Sequence, residues 1–459
     1  MLWALRGRAH LDARDRWTRA ELLAHQRVAL LGMIRYAATH TRFYRNLYRD
    51  IDLSDDLNVD LLPVVSKRQL MESFDTTVTD QRLRLPDLQD RLRNAMGDQL
   101  YDGQYRIVGT AGTSGLRGVF VYDRAAWRVV LANTLRWQAM IGITPHLPRR
   151  TRIASIGADH PMHVTSRIPM SCDIGLFRML HVEATEPIAH QVAALNAFQP
   201  NALLPYPSVA ALLAHEQIAG RLAIHPDAVA THSEMLTPEM VRLITEAWGK
   251  APFNHYGMTE EPHVGSDCSL HAGMHVFEDT CVVEIVDDDY RPVPDGQPGT
   301  RWLLTNLYNF VQPLIRYEVT DMLCRSPSLC ACGRPFALVT SVGGRAEDML
   351  YLPRRAGAGM VAITPMVITL AIEGFGTARE YSAEHCADRI SMRLVVPDAT
   401  QRAQIERALP DRLRAEIEAH GAVAPRIELT FVDALERSAQ RMGKISLVTH
   451  SRPELNAVP

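Results

Sequence analysis

The chain has 459 residues, of which 49 are Lys or Arg and 52 Asp or Glu, for a formal net charge of −3. With 47% hydrophobic and 22% charged residues the balance is that of a globular protein, which argues against a basic nucleic-acid binder and an acidic disordered tail. At roughly 150 residues per domain the length predicts about three domains, or one large and one small, with enough core to fold without a disulfide or metal.

Residues 1–17 hold no uninterrupted apolar stretch of signal-peptide length. No run of about 18 apolar residues occurs anywhere, so no membrane span is expected. Seven scattered cysteines, an odd number, predict a reducing, cytoplasmic compartment. Only three of the basic residues are lysine: Lys67, Lys250 and Lys444.

In chain order, Leu22, Leu23, Val28, Leu30, Leu31, Ile34 and Tyr36 recur at near-helical spacing and predict a helix over 17–49. A glycine-rich loop at 109–118 precedes an expected strand, 119–122. A helix over 187–198, a short strand at 202–204, a helix over 208–219 and a strand at 228–231 follow. The helix over 237–248 opens with Thr237 as N-cap and Pro238 at its first position. Apolar runs at 274–286, 300–307 and 313–324 contain few helical patterns. After Gly343–Gly344 come a strand at 390–396, a helix over 399–419 and a strand at 426–432. The pattern predicts an α/β protein. Its large multi-layer N-terminal domain, 1–342, has parallel-type sheets and a β region; a hinge at 343–348 leads to a small α+β domain, 349–459.

Five segments carry chemistry. Gly109-Thr110-Ala111-Gly112-Thr113-Ser114-Gly115-Leu116-Arg117-Gly118 offers backbone N–H groups and hydroxyls to an anion. It lacks the Gly-Lys-Ser/Thr ending of a Walker loop, and its plain alternative is a surface turn. Asn254-His255-Tyr256-Gly257-Met258-Thr259-Glu260 combines a base-bonding amide, a stacking ring and a hard oxygen ligand for Mg²⁺; the alternative is a strand end with a charged cap. Asp321 closes Arg316-Tyr317-Glu318-Val319-Thr320-Asp321, where a carboxylate at a strand end can accept two ribose hydroxyls or simply pair with Arg316. The fourth segment is Gly343-Gly344-Arg345-Ala346-Glu347-Asp348, and the last Arg441-Met442-Gly443-Lys444.

In this order the segments resemble the adenylate-forming superfamily of acyl-CoA synthetases, luciferases and peptide-synthetase adenylation domains. The phenylacetate–CoA ligase-like branch is the nearer, through the stretch from Asn196 to Ser208, Gly273–Asp279 and Cys332-Gly333-Arg334. The resemblance implies a large domain and a mobile lid, with ATP and a carboxylic acid giving an acyl adenylate that is passed to coenzyme A. It implies that Thr110, Gly112, Thr113, Ser114 and Gly115 hold phosphate, and that Asn254, His255, Tyr256 and Gly257 form the adenine wall with Glu234 beside it. Thr259 and Glu260 would contact phosphate and Mg²⁺, Asp321 and Arg345 the ribose. Glu347 takes the hinge position, and Lys444 reaches the acid's carboxylate and the α-phosphate. Carboxylate attack on phosphorus gathers negative charge, so a compact lysine charge in an arginine-rich chain suits that role.

Cys330-Ala331-Cys332, Cys268 and His275 (or His271) offer a closed Cys₃His set for a structural Zn²⁺, as some members of that branch carry; the alternative is thiols as small apolar fillers. Cys172, Cys281, Cys324 and Cys386 read as core residues. The expected acid pocket includes Tyr206, Met258 and His160, suited to an aromatic acid, although His160, His163 and Arg167 would also suit a polar one. Leu116-Arg117 and the basic stretch Tyr351–Met360 depart from the family pattern. Either Arg354 and Arg355 hold the coenzyme A phosphates, or the acceptor is a carrier-protein thiol or an amine. The partners expected are thus a small carboxylic acid, with a carrier protein and a homodimer left open, and neither nucleic acid nor membrane. A non-catalytic adenylate binder on the same scaffold is the alternative of a different class.

Overall fold

The computed structural model describes residues 2–110, 117–145, 149–158, 160–172, 175, 177–345, 350–363, 365–373, 375, 378–386, 388–437 and 448–450. Among them a nine-stranded sheet organises the N-terminal three quarters of the chain. Five of its strands are parallel, in the order Phe177–Glu183, Thr151–Gly157, Ala202–Pro205, Ala228–His232 and Phe253–Tyr256. Right after Phe253–Tyr256 the chain turns back, and Gly265–Ser266, Met274–Val276, Leu338–Arg345 and Asp321–Arg325 extend the sheet antiparallel. Helices Pro207–Ile218 and Pro238–Trp248 cross between neighbouring parallel strands, Ile188–Phe198 connects the two strands that flank Thr151–Gly157, and Leu203, Leu213 and Ile244 bury between helices and sheet.

The sequence pattern locates most of these elements, and the departures have local causes. The helix expected over 17–49 runs Arg19–His40 and breaks at Thr41. The Thr41 hydroxyl donates to Ala37 O and accepts from Tyr44 N at 3.1 Å, so it starts a second helix, Arg42–Leu47. The apolar run 274–286 is two strands, because Phe277–Thr280 carries the chain from the large sheet into a three-stranded one. The run 313–324 divides likewise into Tyr317–Val319 and Asp321–Arg325. The helix Leu2–Arg14 has no clear apolar periodicity; Gly7 lets it approach Ala132, whose Cβ would lie 3.1 Å from a Cβ added there.

Residues beyond 350 build their own core. Leu350, Ile368, Ile372, Tyr381, Ile390 and Leu394 pack with Ile405, Leu409, Leu413 and Ile417, which repeat every four residues along Ala399–Ala419. Strands Arg426–Phe431, Arg389–Val395, Glu380–Cys386 and Val448–His450 form its sheet. The stretch Tyr351–Met360 is a hairpin, Leu350–Pro353 against Met360–Ile363, and Arg355 at its turn pairs with Glu418 at 3.3 Å.

A buried ion cluster ties the N-terminal helices to the late strands. Arg136, 1% exposed, reaches Asp279 at 3.0 Å and Asp15 at 2.8 Å, its guanidinium lying over Phe277 and Phe336. Arg14 pairs with Asp279 at 3.3 Å and Arg334 with Asp15 at 3.4 Å. Removing the central cation leaves two carboxylates without their main partner, one fully buried. Arg136→Met should therefore lose about 3–5 kcal/mol of unfolding free energy in urea titrations.

Candidate functional site

The carboxyl ends of the parallel strands, where open α/β sheets present their ligands, carry Tyr206, Glu234 and the segment from Asn254 to Glu260. Beyond Thr151–Gly157, Ala158 N donates to Tyr206 Oη at 3.0 Å. Tyr206 is fully buried and meets the His232 ring edge-on at 5.4 Å. Beyond Ala228–His232, Glu234 accepts the Ser208 amide at 3.1 Å. Beyond Phe253–Tyr256 the chain folds tightly at Gly257, where an added Cβ would lie 2.1 Å from Pro262 O, so only glycine fits. That turn delivers Met258, Thr259 and Glu260.

Tyr256 donates its hydroxyl to Asp321 Oδ2, joining the expected base wall to the expected ribose carboxylate. The strand register sets the Arg345 backbone opposite Asp321; the Arg345 side chain is outside the described residues. Asn254 is held through its backbone, donating to Asp267 Oδ2 at 3.1 Å. His255 points elsewhere: alternation along the strand buries it between Trp137 and His263, with Nε2 3.0 Å from His263 Nδ1. Burial holds the His255 imidazole well below its ordinary pKa, so it sits neutral in the core. His160 accepts the Met162 amide on Nδ1 at 3.1 Å within its own loop.

Glu260 is 8% exposed, and its carboxylate accepts the Tyr317 hydroxyl at 2.9 Å. Tyr122 donates its hydroxyl to the carbonyls of Thr259 and Glu260, at 2.8 and 2.9 Å. The next residue, Glu261, is fully buried. It accepts from Asn306 Nδ2 at 2.6 Å and Tyr308 Oη at 2.9 Å, while its carbonyl accepts the Met258 amide at 2.9 Å.

The glycine-rich loop is closed at its base. Thr110 Oγ1 accepts the Gly118 amide at 2.8 Å, and Thr110 N donates to Gly118 O at 3.0 Å. Gly112, Thr113, Ser114 and Gly115 lie outside the described residues, as do Glu347 and Lys444. Sequence reasoning missed Lys67: its ammonium donates to Thr110 Oγ1 at 3.1 Å from the first turn of the helix Lys67–Glu72. Its rarity in this chain was the signal available. Arg437 was missed as well. It donates to Ser208 Oγ at 3.1 Å and pairs with Glu380 at 2.5 Å, so the unit after residue 350 touches the Glu234–Ser208 edge of the site.

Away from the strand ends, Cys268, His275, Cys330 and Cys332 converge, with their ligand atoms all within 4.8 Å of one another. Cys268 Sγ lies 3.8 Å from Cys330 Sγ, and Cys332 Sγ lies 3.5 Å from His275 Nε2. A tetrahedron with ordinary Zn–S and Zn–N bonds has edges of about 3.8 Å and about 3.6 Å. Burial, then the Arg334 charge, takes His275 down to about 4, so its imidazole is neutral as a ligand must be. Burial pushes the Cys268 thiol up to about 11. Burial also works to raise Cys332, but the hydrogen bonds and charge of Arg334 outweigh it and hold that thiol below its ordinary value. His271 instead approaches Asp267 at 3.4 Å and lies against Phe253.

Burial pushes the Glu261 carboxyl up to about 8 from its ordinary 4.5. The folded protein therefore keeps a proton there that the unfolded chain releases, and Glu261 lowers stability increasingly as pH rises from about 4.5 to about 8, levelling beyond. Glu261→Gln mimics the protonated group. Thermal unfolding between pH 5 and 8 should show a flatter pH dependence for the variant, with its largest advantage near pH 8; parallel curves would mean an ionised Glu261.

No family model matches the chain. A phenylacetate–coenzyme A ligase of Thermus thermophilus is 29% identical over 192 residues, 39% of this chain and 42% of the relative, so the match spans less than half of either protein. The solved 2-hydroxyisobutyryl-CoA ligase in its postadenylation state superposes with a TM-score of 0.75 at 19% identity, over 96% of this chain and 91% of that one. The same ligase in its thioesterification state gives 0.60, over 96% and 92%. An anthranilate CoA ligase, AuaEII, gives 0.52 at 17% identity, over 74% and 64%. The chain thus has the fold of these solved CoA ligases, and its shorter sequence match is to a coenzyme A ligase as well.

Proposed function

We propose that the chain is an ATP-dependent, AMP-forming acid–thiol ligase that activates an aromatic carboxylic acid and passes the acyl group to coenzyme A. The observation that carries the reading is the pairing of Tyr256, four residues before the buried Glu260, with Asp321, together with the contact of Lys67 on Thr110 at the base of the glycine-rich loop. Asp321 accepts the ribose hydroxyls and Tyr256 packs on the base, with Asn254, Gly257 and Glu234 around it. Lys67 and the loop from Thr110 to Gly115 neutralise the phosphates. A single buried carboxylate beside them suits Mg²⁺, which takes one or two carboxylates plus phosphates and would neutralise phosphate charge. In the first half-reaction a carboxylate oxygen attacks the α-phosphorus and the bond to pyrophosphate breaks. Lys444, assigned from its motif alone, donates to the oxygens where charge gathers. In the second, the coenzyme A thiolate attacks the acyl carbon and AMP leaves. Tyr206 and Met258 suit an aromatic ring, with His160 at the pocket's edge. We assign residues 1–342 to the large domain, 343–348, with Glu347, to the hinge, and 349–459 to the lid. The separate core after residue 350 and the nearer fit to a postadenylation structure support that division. Free thiols at Cys281, Cys324 and Cys386 suit a reducing cytoplasm.

The decisive measurement is pyrophosphate release with a panel of aromatic and aliphatic acids, with and without coenzyme A. Lys444→Ala should slow adenylate formation by about 10²–10³ with ATP binding nearly intact, whereas Asp321→Ala should weaken ATP binding itself. Acyl transfer only to a carrier-protein thiol, as a thioester, or to an amine, as an amide, would replace the acceptor and keep the adenylation. Wild-type adenylation by Lys444→Ala would remove that residue from the mechanism.

The cysteine cluster we read as a structural Zn²⁺ site formed by Cys268, His275, Cys330 and Cys332. It would pin the antiparallel extension of the sheet, supplying folding energy and no catalytic step. Protein purified without added zinc should hold close to one equivalent, and Cys330→Ser should lower the melting temperature more than the activity of the folded fraction. Less than a tenth of an equivalent at normal stability would sink the assignment.

A further inference from the structure

A cavity of about 1010 Å³ lies between the helices Leu2–Arg14, Arg19–His40 and Arg124–Met140, within the size of a small-molecule site. Its apolar floor is formed by Leu11, Ala29, Val129, Leu307 and Tyr308. Its rim is cationic: Arg6, Arg14 and Arg128 all line it. Among the described residues, the one carboxylate lining it is Asp279, whose side chain is fully buried and already shared by Arg136 and Arg14. Arg14 is held in place by that pair, by a bond to His10 at 3.0 Å and by its position over the Trp17 ring at 5.4 Å. Arg14 Nε is buried with no acceptor among the described residues. Burial, then the Arg14 charge, keeps His25 below its ordinary pKa, so the positive charge of the rim rests on the arginines. None of these residues belongs to the strand-end site.

An apolar floor under three guanidinium groups is matched by a molecule that is apolar along its body and acidic at one end. We propose that this cavity is a second ligand site, which takes an organic anion with an apolar body and holds its carboxylate or phosphate head between Arg6, Arg14 and Arg128. Its floor backs onto the nucleotide side: Tyr308 donates to Glu261, the neighbour of Glu260. The site is independent of the ligase reading, because it needs no residue of the adenylation chemistry.

The test is calorimetric titration of the full chain with decyl phosphate, decanoate and decanol, each below its micelle concentration. Decyl phosphate has no carboxylate to enter an acid pocket, and it is titrated with saturating ATP so that its head cannot take the strand-end phosphate loop; decanoate tells whether a carboxylate head serves equally. Decyl phosphate should bind with one equivalent and raise the melting temperature, and decanol should bind at least tenfold more weakly. Arg6→Gln combined with Arg128→Gln changes two exposed side chains, and should weaken decyl phosphate at least tenfold, measured on the folded fraction. Val129→Trp, which fills the floor, should abolish binding. Equal binding of decanol and decyl phosphate, or unchanged affinity in both variants, would overturn the site. A missing pyrophosphate signal with intact decyl phosphate binding would count against the ligase reading alone.

Discussion

The six residues from Gly257 to Pro262 constrain everything around them. The chain leaves a parallel strand, reverses within a turn that excludes any side chain at its first position, and returns antiparallel. What holds the reversal is Glu261, buried between Asn306 and Tyr308, with its own carbonyl tying Met258. A carboxyl so placed is tolerable because it keeps its proton, and a neutral acid with two partners costs far less to bury than an anion. The turn in turn sets where Tyr256 meets Asp321 and where Glu260 meets Tyr317. Position here comes from backbone geometry first and side-chain chemistry second.

The switch from parallel to antiparallel strands creates a second problem, since Gly265–Ser266 and Met274–Val276 are short and bring few ladder bonds of their own. The Cys₃His cluster sits where these strands meet the loop leading into Leu338–Arg345, and the Leu338–His275 and Ser266–His275 registers bring its ligands together. From Cys332 a chain of charged contacts runs through Arg334 and Asp15 to Arg136, Asp279 and Arg14. The N-terminal helices are therefore docked through buried ion pairs as well as apolar contact. That arrangement specifies position at a desolvation cost and is broken by loss of any central member.

Legibility in the sequence followed the range of the interaction. The helices Ile188–Phe198, Pro207–Ile218 and Pro238–Trp248 and the strands Ala202–Pro205 and Ala228–His232 were readable from their apolar patterns, whereas Thr151–Gly157 and Phe177–Glu183 were not singled out; Thr237 capped its helix as its position implied. The convergence of Cys268, His275, Cys330 and Cys332 was readable because few arrangements other than a shared cluster call for three thiols and an imidazole at such spacing. The breaks at Thr41, at Phe277–Thr280 and before Asp321 were not, because apolar runs continue through them and only tertiary pairing divides them. Lys67 was invisible as a partner of Thr110, 43 positions away, and the inward turn of His255 follows from strand alternation that a motif read as a unit conceals. The first helix lacked a clear period, and Gly7, the buried Leu11 and the half-buried Arg14 help to dock it.

Arg437 gives the second core a physical link to the first. It donates to Ser208, whose amide donates to Glu234, and it pairs with Glu380 on the far side. Burial raises the Glu380 carboxyl and Arg437 opposes that shift, so the pair is stable only while both charges are present. A contact of this kind between two separately packed cores is a few hydrogen bonds wide. It can be released without unfolding either unit, because the apolar residues of each core are satisfied within it. The lid motion proposed above would need that asymmetry: rigid cores, and between them contacts that water can replace. The Arg437–Ser208 contact meets that requirement at the edge of the strand-end site.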